Sequence, residues 1–284
     1  MAGSILLTLR LLLPDISQIP SLPDPSSAYI GPKSGMSSES ASPKPSRWSR
    51  LRSSVRWRFF ARRCPEVARV VARVRAERLS YLDRDALVDL AEAALACERR
   101  GLAGELVEAG CALGGSAIVL AAAKGRERLL RVYDAFGMIP PPTERDGEDV
   151  HERYRKITAG EARGIRGGRY YGYEEDLLGK VQASFAAYGL PVDGERICLV
   201  QGFYQESLTG EGPLALAHVD CDWYDSVWTC LERLAPRLVP GGLLVIDDYF
   251  RWSGCRQAVD DYFAARPRGE FRFRRRARLQ IVRQ

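Results

Sequence analysis

The stretch HVDCDWYDSVWTCLERLAPRLVPGGLLVIDDY, residues 218–249, decides how this chain is read. It carries the ends of two short apolar runs, and both runs finish in aspartates. Leu214 to Val219 leads into Asp220 and Asp222, and Leu243 to Ile246 leads into Asp247 and Asp248. A helical stretch and a Pro-Gly-Gly turn separate the runs, so the segment reads as strand, helix, strand. In an open parallel sheet that order brings both acidic clusters to the C-terminal edge, where such sheets bind ligands. Carboxylates crowded at one edge repel each other unless a cation lies among them. Oxygen ligands suit a hard divalent ion such as magnesium.

Working outward, the same alternation continues toward the N-terminus. GELVEAG, residues 104–110, reads as a first strand, followed by the turn CALGGS and a helix over Ala117 to Ala123. Leu129 to Tyr133 is a second strand ending at Asp134, Leu177 to Tyr188 a helix, and Arg196 to Gln201 a third strand. Residues 139–176 show no clean period and hold three consecutive prolines and the cluster GIRGGRYYGY. A connection that long is often an active-site lid. Beyond the aspartates, Cys255 to Ala264 is helical, and the tail FRFRRRARLQIVRQ suggests two strands around a basic turn. The pattern predicts an α/β doubly wound sheet, mostly parallel, with one antiparallel terminal strand. Residues 48–100 form a preceding helical segment, residues 101–284 the main domain, and the Ser- and Pro-rich residues 1–47 a disordered tail.

Composition narrows the function classes. The 284 residues are 46% hydrophobic, enough for a sizeable core, and the net charge is +6. Much of the basic excess lies in Arg47 to Arg78 and Arg272 to Arg283. Neither cluster interleaves base-stacking aromatics in a known module, so a solvated or phosphate-contacting surface outweighs specific nucleic-acid binding. Seven cysteines without a CxxC pair argue against a disulfide framework and a structural zinc site, and fit a reducing cytoplasm. No run is long enough to span a bilayer, and no membrane partner is expected. The opening SILLTLRLLLP lacks both the preceding basic region and the cleavage site of an export signal.

The segment Glu108 to Ser116 follows a strand and opens a helix. Gly110, Gly114 and Gly115 let backbone approach a ligand, and the helix N-terminus offers free N–H groups. The spacing is not the dinucleotide GxGxxG, which counts against a nicotinamide dehydrogenase. An acid two residues before the first glycine suits a cofactor with a positive amino group, such as S-adenosyl-L-methionine. Asp134 is placed to accept both ribose hydroxyls. Each feature alone has a plainer reading: a tight turn, a helix cap, or solvent-facing acids. Their convergence on one sheet edge favours an adenosine pocket beside a cation.

HVDCDWYDS, LVPGGLLVIDDY and CRQAVDDY, together with VEAGCALGGSA and VYDAFGMIP, resemble the macrocin O-methyltransferase family of antibiotic-tailoring enzymes, over residues 81–284. The resemblance implies a class I methyltransferase (Rossmann-like) fold, S-adenosyl-L-methionine as methyl donor, and a magnesium ion holding the acceptor hydroxyl. It implies metal binding by Asp220, Asp247 and Asp248. It implies cofactor contacts from Glu108, Gly110, Ser116 and Asp134, and adenine contacts from Gly202 and Gln205. Cys221 stands where relatives often have glycine, which leaves a softer ion open. Trp223 replaces an aliphatic residue, and residues 140–173 diverge most, where acceptor specificity should reside.

A neutral hydroxyl needs a base as well as a metal. Asp222 is the first choice for proton removal, with Asp220 and His151 as rivals. His218 is expected in the core, and Tyr224 against the following helix. Tyr170, Tyr171 and Tyr173 either line the acceptor pocket or form an exposed loop. The acceptor implied is a small-molecule hydroxyl, such as a sugar on a natural product. A metal-independent methyltransferase, an arginine-rich nucleic-acid binder and a scaffold without turnover are the competing readings, and a homo-oligomer stays open.

Overall fold

The computed structural model describes the backbone from Arg47 and side chains from Leu51 onward. The tail expected over residues 1–47 lies, except for Arg47, outside the described residues. Three helices precede the sheet: α1 (Arg47–Arg63), α2 (Pro65–Ala76) and α3 (Arg84–Arg99). Proline suits the first turn of α2 because its missing N–H would have no partner there. Val67, Val71 and Val74 then fall on one buried face. Asp83 caps α3 by accepting from the Ala86 N–H at 2.9 Å.

The alternating part follows as β1 (Glu105–Ala109), α4 (Gly115–Ala123), β2 (Leu130–Asp134), α5 (Glu148–Thr158), α6 (Leu177–Ala187), β3 (Ile197–Gln201), the short α7 (Tyr204–Ser207), β4 (Leu214–Val219), α8 (Tyr224–Leu234), β5 (Leu238–Ile246), α9 (Ser253–Ala264), β6 (Phe271–Arg275) and β7 (Leu279–Arg283). The strands form one sheet in the order β3-β2-β1-β4-β5-β7-β6. β1 to β5 pair in parallel, while β7 is antiparallel to both β5 and β6. β7 alone therefore runs against the rest, as the terminal hairpin predicted.

The order reverses between β1 and β4, the switch point at which such sheets open a crevice. Register aligns the tips there: Ala109 pairs Val219, and Val219 pairs Ile246. The ladder continues one step beyond, with the Asp220 N–H on the Ala109 carbonyl at 2.8 Å and the Asp247 N–H on the Val219 carbonyl at 3.0 Å. Gly110, Asp220 and Asp247 thus leave the sheet side by side. The Pro-Gly-Gly element, read as a turn from sequence, lies inside the first half of β5, where pairing with β4 shifts register.

Helices cover both faces. One core joins α2, α3, α4 and α6 to the sheet, so the N-terminal helical segment shares its packing with the main domain. The other packs α8 and α9 against the opposite face. All seven cysteines are free thiols. Among the described residues, no helix is long and apolar enough to cross a membrane.

The region read as aperiodic contains α5. Val150, Tyr154 and Ile157 recur at helical spacing, with acids in its first turn and bases in its last, but so short a stripe is easily missed. Val150 and Ile157 are buried with Ala162, Tyr170 and Trp223 in a small core of their own. Asp146 ties this insert to the sheet. One oxygen accepts the Thr143 N–H at 3.0 Å and the other the Tyr224 N–H at 2.8 Å, which caps α8 from a distant loop. Asp146→Ala should therefore lower the stability to urea by about 1–2 kcal/mol, the usual loss of a helix cap. An unchanged midpoint would show that the tie carries no load.

Candidate active site

The glycine loop is shaped by close approaches. Gly110 has φ +91°, and a Cβ there would collide with the Asp220 carbonyl. Gly114, at φ +86°, is the N-cap of α4. Gly115 gives its N–H to the Leu79 carbonyl at 2.9 Å, and a Cβ on it would strike that carbonyl. Gly115 is thus taken up by the α2–α3 link.

Asp134 is tied into the loop by backbone donors. Its carboxylate accepts the N–H groups of Cys111 at 2.7 Å, Ala112 at 3.1 Å and Phe136 at 2.8 Å. Ala112 and Phe136 are both left-handed, at φ 47° and 48°, so Asp134 holds two strained turns in place. A carboxylate has about four acceptor positions. Two of the three fall on Oδ2 and one on Oδ1, so the carboxylate fixes the loop while Oδ1 keeps an acceptor position open. Burial raises its pKa, opposed by those backbone donors.

Glu108 is fully buried and accepts the Ser116 hydroxyl. Its other oxygen lies 3.1 Å from Nδ1 of His218, the neighbour it pairs with across β1 and β4. His218 is in the core, as expected, but as an ion-pair partner. Burial alone would lower its pKa, yet Glu108 raises it to about 9. Glu108 and Ser116 therefore brace each other beneath the loop. Gly202, at φ +143°, gives its N–H to the Asp134 carbonyl at 3.0 Å. Gln205 is exposed, and its carbonyl accepts from Arg233 at 2.7 Å. Tyr204, beside it, was missed by sequence reasoning; its hydroxyl comes within 3.3 Å of where a Cβ on Gly110 would lie.

The four aspartates gather in two groups that share Asp220, so Asp247 and Asp248, expected as joint ligands, fall in different groups. Carboxylate oxygens of Asp220, Asp222 and Asp248 lie within 4.8 Å of one another, and Asp220 forms a second such group with Asp247 and His218. Burial, reinforced by Asp247, pushes the Asp220 carboxyl well above its ordinary range; burial and Asp222 do the same to Asp248. Asp222 is raised too, chiefly by burial, and its backbone is held at φ 59°. Asp248 Oδ2 is buried without a hydrogen-bond partner. Asp247 Oδ1 accepts from the Arg278 guanidinium, which leaves Oδ2 for another partner. Crowded oxygens, an orphaned acceptor and an arginine steadying one ligand are what a hard divalent cation would meet. The Cys221 thiol instead lies 4.0 Å from the Cys230 sulfur and belongs to neither acidic group, so it gives no support to a softer ion.

The insert closes beside these acids. Trp223 donates to the Pro140 carbonyl at 2.9 Å and packs edge-on against Trp252, with centroids 5.9 Å apart. Tyr173 is spent within the insert: its hydroxyl donates to the Ile157 carbonyl at 2.6 Å and accepts from the Ala162 N–H at 3.2 Å. His151 lies 3.1 Å from the Thr143 carbonyl and belongs to neither acidic group. Tyr224 is structural, as expected, donating to Asp261 at 3.0 Å.

A sheet of this order with carboxylates along its switch point defines a class I methyltransferase fold, and solved structures agree. The O-methyltransferase NovP superposes with a TM-score of 0.58 at 24% identity, over 72% of this chain and 81% of that one. The methyltransferase PaMTH1 of Podospora anserina, solved with SAH bound, gives 0.51 at 17% identity over 86% and 98%. The macrocin O-methyltransferase (TylF) family model matches residues 76–268, and the chain belongs to that family of S-adenosyl-L-methionine-dependent O-methyltransferases. Relatives include the 8-demethyl-8-(2,3-dimethoxy-alpha-L-rhamnosyl)-tetracenomycin-C 4'-O-methyltransferase of Streptomyces olivaceus, 34% identical over 72% of this chain and 71% of that protein. Mycinamicin III 3''-O-methyltransferase of Micromonospora griseorubida is 31% identical over 58% and 62%.

The buried acids and His218 share one pH consequence. Asp220, Asp222 and Asp248 are raised in the fold, and so is His218, to about 9. Groups that bind protons more tightly folded than unfolded make stability fall as pH rises. For His218 the contribution is full below 6.5 and lost on climbing through about 9. Without added metal, the melting temperature should drop across that interval, and magnesium should flatten the decline. A melting temperature that rises with pH over that span would contradict the electrostatics.

Proposed function

We propose that this enzyme methylates a sugar hydroxyl on a natural product, with a divalent cation, magnesium by preference, held by Asp220, Asp247 and Asp248. The observation that carries this is the gathering of carboxylates at two neighbouring strand tips in two groups that share Asp220, with proton affinity raised at Asp220, Asp222 and Asp248 and one oxygen of Asp248 unpartnered. Asp247, steadied by Arg278, suits a ligand, and Asp222, its proton affinity raised chiefly by burial, suits the acceptance of a proton.

Bound magnesium supplies the positive charge that lowers the pKa of a hydroxyl. Asp222, fixed by its left-handed backbone and by Trp223 anchored in the insert, takes the proton from the acceptor oxygen. That oxygen forms the new bond to the methyl carbon as the carbon–sulfur bond breaks, and S-adenosylhomocysteine departs with the bond's electron pair. The chain's remaining task is alignment. The glycine loop braced by Asp134 shapes the donor side, and the insert over residues 139–176 shapes the acceptor side. The relatives named above are identified as acting on a rhamnosyl tetracenomycin and on mycinamicin III, and a glycosylated polyketide is the acceptor class we propose here. Seven free thiols fit a reducing compartment such as the cytoplasm.

Methyl transfer to mycinamicin III and to a rhamnosylated tetracenomycin, with magnesium or with EDTA, tests the reading. Turnover of either probe should need the metal. Asp247→Asn should cost more than the roughly 10–100-fold that residues supporting a metal site give, while calorimetry shows unchanged donor affinity. Full activity in EDTA would favour a metal-independent enzyme. Loss of donor binding in Asp247→Asn would mean that the roles are wrongly divided.

A further inference from the structure

Of the three insert tyrosines, Tyr171 is placed where the two halves of the site meet. Its neighbours on either side are pinned to opposite halves. Tyr170 is buried in one cluster with Trp223, the residue after Asp222. Gly172 lies over the turn that follows Asp134: a Cβ on it would come 3.5 Å from the Gly137 carbonyl. Tyr171 therefore spans from the acceptor side to the donor side. Its ring sits 4.5 Å from that of Tyr170 and 6.1 Å from that of Tyr81, which belongs to the α2–α3 link beside the glycine loop. It packs against both the insert core and the core of the N-terminal helices.

The chemistry of the hydroxyl follows from its surroundings. Burial, together with Tyr170, Asp222 and Asp134, raises the phenol's pKa well above the ordinary value, so it stays protonated. The rings of Tyr170 and Tyr81 on either side hold the Tyr171 ring, and with it the position of its oxygen. Tyr173 cannot serve in its place, since its oxygen is engaged with Ile157 and Ala162.

We infer that the Tyr171 oxygen is a positioning group for the donor's methyl sulfonium, holding the methyl between the donor and acceptor sides. The inference rests on the methyltransferase reading. The hydrogens of a methyl on positively charged sulfur are polarised, and an oxygen accepts them as weak hydrogen bonds. S-adenosylhomocysteine lacks both that methyl and the charge, so the contact should distinguish the two molecules without any acceptor present.

The test compares calorimetric binding of S-adenosyl-L-methionine and S-adenosylhomocysteine to the wild type, Tyr171→Phe and Tyr173→Phe, all as full chains. Tyr171→Phe should weaken the methyl donor by roughly two- to fivefold and leave the homocysteine product unaffected. Tyr173→Phe should lower the melting temperature and leave the ratio of the two affinities intact. An unchanged ratio in Tyr171→Phe, or equal weakening of both molecules, would overturn the inference while the methyltransferase reading stood. A wild type that bound neither molecule would remove that reading and the inference with it.

Discussion

Crowding of like charge at the tips of β4 and β5 is the constraint on which this molecule turns. Adjacent parallel strands in register must release their chains side by side, and here both release aspartate. A buried carboxylate surrounded by others either keeps its proton or finds a cation. The fold supplies Arg278 to Asp247, from the turn between β6 and β7, while His218 acts on Asp220 and Arg251 on Asp222. The antiparallel terminal hairpin is therefore more than a cover for the sheet edge. By returning β7 alongside β5, it places a guanidinium behind Asp247.

The same edge holds acids with a different task. Glu108 and Asp134 also end up buried near strand tips, yet each has partners within the protein. Glu108 is balanced by His218 and Ser116, and Asp134 by three backbone N–H groups. The contrast gives a physical criterion for sorting the acids. Those with partners from the chain hold the glycine loop in its left-handed turns. Those facing one another, among them Asp248 with an unpartnered oxygen, are the ones proposed to hold a cation.

The alternation of strands and helices, the final hairpin and the gathering of the four aspartates were legible in sequence because each depends on local pattern and on the rule that parallel strands share an edge. The backbone partners of Asp134 and Gly115 were not. Both face main-chain groups, N–H donors on one side and the Leu79 carbonyl on the other, and a backbone atom leaves no mark in a residue pattern. α5 was hidden for another reason. Its buried side carries little beyond Val150 and Ile157, because the insert packs on Trp223 and Tyr170 rather than on the main core. Asp146 looked like one more loop acid, and only the distance in sequence to Tyr224, bridged by the fold, makes it a cap.

Trp223 then becomes more than a departure from its relatives. It follows Asp222, whose left-handed backbone carries a conformational strain of about 1–3 kcal/mol that surrounding structure must over-determine. The indole does this on two sides, through its hydrogen bond to Pro140 and its edge contact with Trp252. Pro140 opens the insert, and Trp252 precedes α9 just after the paired aspartates. One side chain thus couples the orientation of the proposed base to the seating of the insert and to the end of β5. A smaller aliphatic residue there would leave Asp222 without that restraint, so the proposed acceptor side and the proposed base are joined through a single aromatic anchor.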